Sequence, residues 1–150
     1  MNLTLRDMID SDSDIDSVLH IERQVHTHPW TRGNFSDALS SAYICKVAEL
    51  DGKMIGYAVL MQGVDDAELL DIGIAAQNHR QGWGRQLLQA MLQLACELGK
   101  QRVVLEVRAS NAAAIALYRN LEFIGIGLRR DYYPVENGGR EDAILMGRVL

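Results

Sequence analysis

The segment whose residue types most clearly suit chemistry is Ile72-Gly73-Ile74-Ala75-Ala76-Gln77-Asn78-His79-Arg80-Gln81-Gly82-Trp83-Gly84-Arg85. An apolar run passes into a polar loop, then into two glycines one residue apart where a helical pattern begins. Bare amides at a helix N-terminus, with glycines admitting close approach, form an anion site suited to a pyrophosphate. Arg80 and Arg85 add positive charge at its rim. A P-loop would end in Gly-Lys-Ser/Thr, whereas Gly84 is followed by Arg85-Gln86. A dinucleotide fingerprint needs a third glycine three residues on, where Leu87 stands. The competing reading is a loop that uses glycine merely to turn.

Glu106 lies between Leu105 and Val107 in a strand-like run. A carboxylate so placed is costly unless paired or solvated. It reads equally as a reactive base or as a structural ion pair with an arginine such as Arg108. Tyr118 follows Asn111 by seven residues, about two helical turns, so both face one side. By itself it reads as a half-buried aromatic with a wet hydroxyl. His26 and His28 have only each other as metal-ligand partners in the sequence, and Cys45 and Cys96 match no ligand spacing, so no metal site is expected. The acidic run Ser11-Asp12-Ser13-Asp14 reads as helix caps complementing a dipole.

The elements that must hold these residues follow from periodicity and punctuation. Leu3–Met8 alternates weakly as a first strand, and a helix runs from the Ser11–Asp14 caps to about Val25 on Ile15, Val18, Leu19 and Ile21. Pro29 breaks the chain, and Thr31 caps a short helix to about Leu39. Tyr43–Leu50 and Met54–Gln62 are strands joined by the turn Asp51-Gly52-Lys53. Glu68–Ala75, richer in apolar residues, is expected at the centre of the sheet. Trp83–Leu98 has the clearest helical period, through Leu87, Met91, Leu94, Ala95 and Leu98, with Gly99 placed to end it. Val103–Val107 is another buried strand and Asn111–Leu121 an amphipathic helix. Phe123–Arg130 and Asp142–Val149 are final strands around the polar loop Asn137-Gly138-Gly139. A β-helix-β unit within mixed strands means α/β or α+β, with one strongly twisted sheet.

The chain has 150 residues, 48% hydrophobic and 23% charged, which suits one globular domain over 1–150 and excludes disorder. No apolar run approaches the roughly 18–20 residues of a membrane span, and no export signal is visible at Met1–Asp7. Two reduced thiols in a cytoplasmic protein are the expectation. A net charge of −5 argues against nucleic acid as a direct ligand and suits a cationic partner better, although acidic surfaces also serve solubility.

Arg80-Gln81-Gly82-Trp83-Gly84 after a hydrophobic strand resembles the acetyl-CoA signature of the GNAT acetyltransferase superfamily, departing from it where His79 replaces the usual Gln or Arg. Leu105–Tyr118, Arg130-Asp131-Tyr132-Tyr133-Pro134, Gly139–Ala143 and His28-Pro29-Trp30 are similar to the RimI-type ribosomal-protein-alanine N-acetyltransferases. The resemblance covers almost the whole chain. It implies a single GNAT-like domain with a mixed, mostly antiparallel sheet flanked by helices, and acetyl-CoA as co-substrate without a metal. It also implies the N-terminus of a basic ribosomal protein as acceptor, with no membrane. Glu106 would then be the general base, directly or through water, and Tyr118 the acid for the coenzyme A thiolate, a phenol near 10 being matched to it. Arg80, Gln81, Gly82, Trp83, Gly84, Arg85 and Asn111 would hold the cofactor. The N–H groups of Ile72, Gly73 and Ile74, on a strand distorted by glycine, would polarise the thioester carbonyl, although a glycine there can equally mark simple close packing. Trp30, Tyr132 and Tyr133 would hold the acceptor peptide. Two other readings stand: acetylation of lysine or a small amine, which Tyr132-Tyr133 weighs against, and a non-catalytic acetyl-CoA sensor.

Overall fold

The computed structural model describes residues 2–150. The elements are β1 (Leu3–Asp7), α1 (Asp12–Val25), α2 (Arg32–Ser40), β2 (Ile44–Leu50), β3 (Lys53–Gln62), β4 (Asp66–Ile74), α3 (Trp83–Glu97), β5 (Arg102–Arg108), α4 (Ala112–Asn120), β6 (Ile124–Pro134) and β7 (Arg140–Val149). This is the order read from the sequence. The strands are arranged β1-β2-β3-β4-β5-β7-β6, which puts β4 in the middle as expected. Two compact units are distinguished: residues 2–62 with Leu69–Met91, and Gly63–Glu68 with Leu92–Leu150.

In the first unit β1 pairs antiparallel with β2, and β2 with β3. The β2–β3 turn places Asp51 and Gly52 at φ of 53° and 79°, the two left-handed residues that a tight hairpin matching strand twist requires. Ser11 caps α1 by accepting from the Asp14 N–H, and Thr31 and Asn34 form a reciprocal capping box on α2. The apolar stripe of α1, Ile15, Val18 and Leu19, is buried with Phe35, Val47 and Tyr57 in one core. Cys45 and Cys96 are free thiols, and burial, with Asp7 nearby, pushes Cys45 up to about 11.

In the second unit the start of β4 runs parallel to β5 (Ala67 opposite Val103), and β5 is antiparallel to β7, which pairs antiparallel with β6. Gly99, at φ 78°, ends α3 as a left-handed cap. The Lys100 N–H bonds to the Ala95 carbonyl and the Gly99 N–H to that of Cys96. The two last strands are longer than the sequence suggested. β6 reaches Pro134, so Tyr132 and Tyr133 belong to the strand rather than to the loop after it. Paired backbone carried β6 past the polar residues that mark a strand end in sequence. Among the described residues no helix is long and apolar enough to cross a membrane.

Candidate active site

The expected phosphate loop lies in the first unit. The chain leaves β4 through a short 3-10 turn at Ala76–Asn78 and enters α3 at Trp83. The first helical hydrogen bond runs from the Gln86 N–H to the Gly82 carbonyl at 3.1 Å. The amides of Trp83 and Gly84 therefore precede the ladder and have no acceptor four residues back. Arg80 and Gly82 both adopt left-handed backbone, at φ 62° and 84°. A Cβ at Gly82 would meet nothing within 4 Å, so that glycine serves conformation and leaves open space beside the helix end. The indole N–H of Trp83 donates to Gln81 Oε1 at 3.0 Å, and Arg80, Gln81 and Arg85 are exposed. His79, the departure from the expected signature, has a structural task. Its Nε2–H donates to the Ile74 carbonyl at 2.6 Å and ties the loop to the strand before it.

Of the two sequence readings of Gly73, a relaxed, distorted strand or close packing, the structure favours the second, and the Gly73 φ is not left-handed. The glycine is required by close packing: a Cβ there would lie 2.6 Å from the Tyr57 hydroxyl oxygen and 2.8 Å from Cζ. Ile72, Gly73 and Ile74 form the C-terminal end of β4, and pairing closes when the Ala75 N–H reaches the Ile55 carbonyl at 2.8 Å.

The second unit gathers the other group. Residues of β5 alternate in burial, with Val103, Leu105 and Val107 buried and Glu106 on the opposite, partly open face. The apolar residues flanking Glu106 in sequence thus point away from it. Its carboxylate is 20% exposed and pairs with the Arg129 guanidinium at 3.0 Å. Arg108, the partner suggested by the sequence, binds Glu141 at 3.0 Å and the Pro134 carbonyl at 2.8 Å, while Arg129 reaches Glu106. Register explains this: Glu106 lies opposite Leu145, and Leu145 opposite Gly127, so Arg129 reaches back over β7. Glu68 is a second carboxylate nearby that sequence reasoning missed. Burial first, then repulsion from Glu106, raises its carboxyl above the ordinary value, while Arg129 pulls it down. Tyr132 and Tyr133 contact edge to face at 5.0 Å, with Arg129 over the Tyr132 ring and Arg108 over that of Tyr133. A register shift between Arg129 and Tyr133, with Asp131 at φ 50°, turns both rings onto these arginines. Burial, with Glu106 next in weight, raises the Tyr133 phenol.

Tyr118 is buried rather than half-open, at 8% exposure. It occupies the third position from the end of α4, where Glu122 at φ 69° lets the Phe123 N–H return to the Tyr118 carbonyl. That closure presses the Phe123 ring against Tyr118 at 5.7 Å. Asn111 caps the same helix, its Oδ1 accepting from the Ala114 N–H at 3.2 Å. Trp30 packs on Phe35 at 5.0 Å, and its backbone N–H donates to Glu22 Oε2 at 2.9 Å.

His26 does not have His28 as its only possible ligand partner. The structure brings Glu22, His26 and Asp71 together, with ligand atoms within 4.8 Å of one another. His26 Nε2 lies 3.1 Å from Asp71 Oδ1, 3.7 Å from Glu22 Oε1 and 3.1 Å from the Ile72 carbonyl. The buried Tyr57 hydroxyl donates to Glu22 Oε1. The i,i+4 spacing of Glu22 and His26 was visible in the sequence, but nothing there placed Asp71 or Tyr57 beside them.

The model of the acetyltransferase (GNAT) family matches residues 12–123, which is most of the chain. The chain belongs to that family. Consistent with this, the chain is 40% identical over 134 residues to an Escherichia coli K12 protein named [ribosomal protein bS18]-alanine N-acetyltransferase, covering 89% of this chain and 90% of the relative. The crystal structure of the E. coli ribosomal-protein-S18-alanine N-acetyltransferase superimposes with a TM-score of 0.89 and 36% identity, over 99% of this chain and 94% of that one. Ard1 from Thermoplasma volcanium superimposes at 0.88 with 25% identity, over 100% and 99%. This GNAT protein is an acyltransferase, and its described residues form a seven-stranded, mostly antiparallel sheet and four α-helices.

Proposed function

We propose that this chain is an N-α-acetyltransferase moving acetyl from acetyl-CoA to the N-terminal alanine of ribosomal protein bS18, acting in the cytoplasm as one catalytic domain over residues 1–150. The observation that carries the reading is the 40% identity to the E. coli enzyme of that name. The amides of Trp83 and Gly84, beside the open space at Gly82, fit a pyrophosphate, with Arg80, Gln81 and Arg85 around it and Asn111 as a further cofactor contact. Ile72, Gly73 and Ile74 supply N–H donors for the thioester carbonyl. Glu106, oriented by Arg129, accepts the proton of the attacking amine, directly or through water, as the new C–N bond forms and the C–S bond breaks. Tyr118 returns a proton to the departing thiolate. Trp30, Tyr132 and Tyr133 hold the peptide.

An α-amine has a pKa near 7.7–8.0 against about 10.4 for lysine, so near neutral pH roughly a tenth of α-amines are neutral, but only about one lysine in a few thousand. A single carboxylate therefore suits an α-amine better. The net charge of −5 favours encounter with a basic peptide, an effect salt weakens. A basic peptide beginning with alanine is expected to be acetylated at its N-terminus. The same peptide with its α-amine blocked and lysines free should react at least about tenfold more slowly, in line with that difference in neutral amine. Equal rates would promote lysine or small-amine acetylation in its place.

A further inference from the structure

The cluster of Glu22, His26 and Asp71, with both carboxylic residues buried, lies outside the roles assigned above. We propose that Glu22 and His26 are positioning residues of the acetyl transfer, clamping the Ile72–Gly73 segment and the Trp30 loop through one proton held between the Glu22 and Asp71 carboxyls. The inference rests on the acetyltransferase reading and deepens it. Four contacts carry it. Glu22, 1% exposed, accepts from the Trp30 N–H with one oxygen and from the Tyr57 hydroxyl with the other. Tyr57 lies against Gly73 so closely that no side chain fits between them. His26 Nε2 faces both the Ile72 carbonyl and Asp71 Oδ1. Asp71 Oδ2 is buried with no N–H or protein hydroxyl donating to it, and the Asp71 carboxyl lies within hydrogen-bonding reach of Glu22, so a proton shared between the two carboxyls would satisfy it.

Three titratable groups face Glu22, and of these Asp71 favours a held proton while His26 and Tyr57 oppose it. The three are His26 on the same helix, Tyr57 on β3 and Asp71 on β4. Burial, then Asp71, pushes Glu22 up to about 8, against the pull of His26 and Tyr57. Burial disfavours the charged His26 ring, but Asp71 and Glu22 outweigh it and raise the group. A carboxyl raised in this way contributes stability below its unfolded value near 4.5 and loses it as pH rises through about 8. The clamp is therefore intact at neutral pH and loosens above about 8, when two carboxylates face each other.

The test compares wild type, E22A, E22Q and H26A by steady-state kinetics with acetyl-CoA and an alanine-starting basic peptide, alongside thermal melts. E22A and H26A should lower kcat/KM by about tenfold to a hundredfold, as small misplacement of reacting groups does, at temperatures where both remain folded. The side-chain amide introduced by E22Q donates to Asp71 permanently, so this variant should recover most of the loss. The ratio of wild-type to E22Q kcat/KM should stay flat up to about pH 7 and fall through about pH 8. Folded E22A and H26A with wild-type kcat and KM would reduce the cluster to packing and overturn the proposal. A ratio that stays flat to about pH 9.5 would overturn the held proton. A divalent metal retained at about one per chain and lost in D71N would overturn it too, because the orphan oxygen would then be a ligand. Absence of any peptide acetylation by wild type refutes the acetyltransferase reading instead, and is read separately from these ratios.

Discussion

Replacing Gly73 by alanine tests whether the strand expected to polarise the thioester is fixed by packing. The added Cβ would start 2.6 Å from the Tyr57 oxygen, 2.8 Å from Cζ and 3.0 Å from Cε1. Ordinary contact needs roughly 3.5–4.0 Å, so strand and ring must part by about 1 Å. The ring cannot swing away, because Tyr57 is 0% exposed, packs edge-on against Phe35 and is held by Glu22. Overpacking of a closed site costs about 1–3 kcal/mol. In a chain of this size each kcal/mol lowers the melting temperature by about 2–4 °C, so a fall of about 2–12 °C is expected. Gly82→Ala is the matched control, since its Cβ meets open space and its cost is about 1 kcal/mol for left-handed backbone. Thermal melts by circular dichroism measure both, and calorimetry with acetyl-CoA should show weaker binding for Gly73→Ala. Gly73→Ala/Tyr57→Phe should recover part of the loss, giving a coupling above about 0.5 kcal/mol. A Gly73→Ala protein that melts within a degree of wild type would refute the argument that Tyr57 locks this strand.

Glu106→Gln should lower kcat/KM by about 10²–10⁴ while leaving the melt nearly unchanged, because it also removes the repulsion on Glu68; unaltered turnover would remove Glu106 from the reaction. Tyr118→Phe keeps the ring contact with Phe123 and should lower kcat with acetyl-CoA affinity retained, which kinetics and calorimetry read together. Gly82→Val, a branched side chain at φ 84°, should raise the KM for acetyl-CoA far more than it lowers kcat. Asp14 is held below its ordinary 3.8 by its hydrogen bonds with Arg6, so wild type should lose its advantage over Asp14→Asn as pH falls below 3.8. Equal acid melts for the two would dismiss that pair as a source of stability.

Element order was readable because each signal is local. Helical period and a C-terminal glycine mark α3, two left-handed residues mark the β2–β3 turn, and hydroxyl caps mark α1 and α2. The turn into α3 was equally legible, since a helix start and its glycines are contiguous in the chain. Which side chains meet across the sheet was not, because pairing depends on register between strands far apart in sequence. Arg129 reaches Glu106 because β7 lies between β5 and β6, an arrangement no local pattern encodes. The same holds for Glu22, His26, Tyr57 and Asp71, which come from a helix and its end and from two strands, and are adjacent only once the sheet is assembled. Sequence by itself determined the order of the elements and the strand–loop–helix segment that carries the glycines, through short-range backbone geometry. Tertiary structure alone decided the carboxylate partners, the burial of Tyr118 and the packing need for Gly73, because those depend on which surfaces exclude water together.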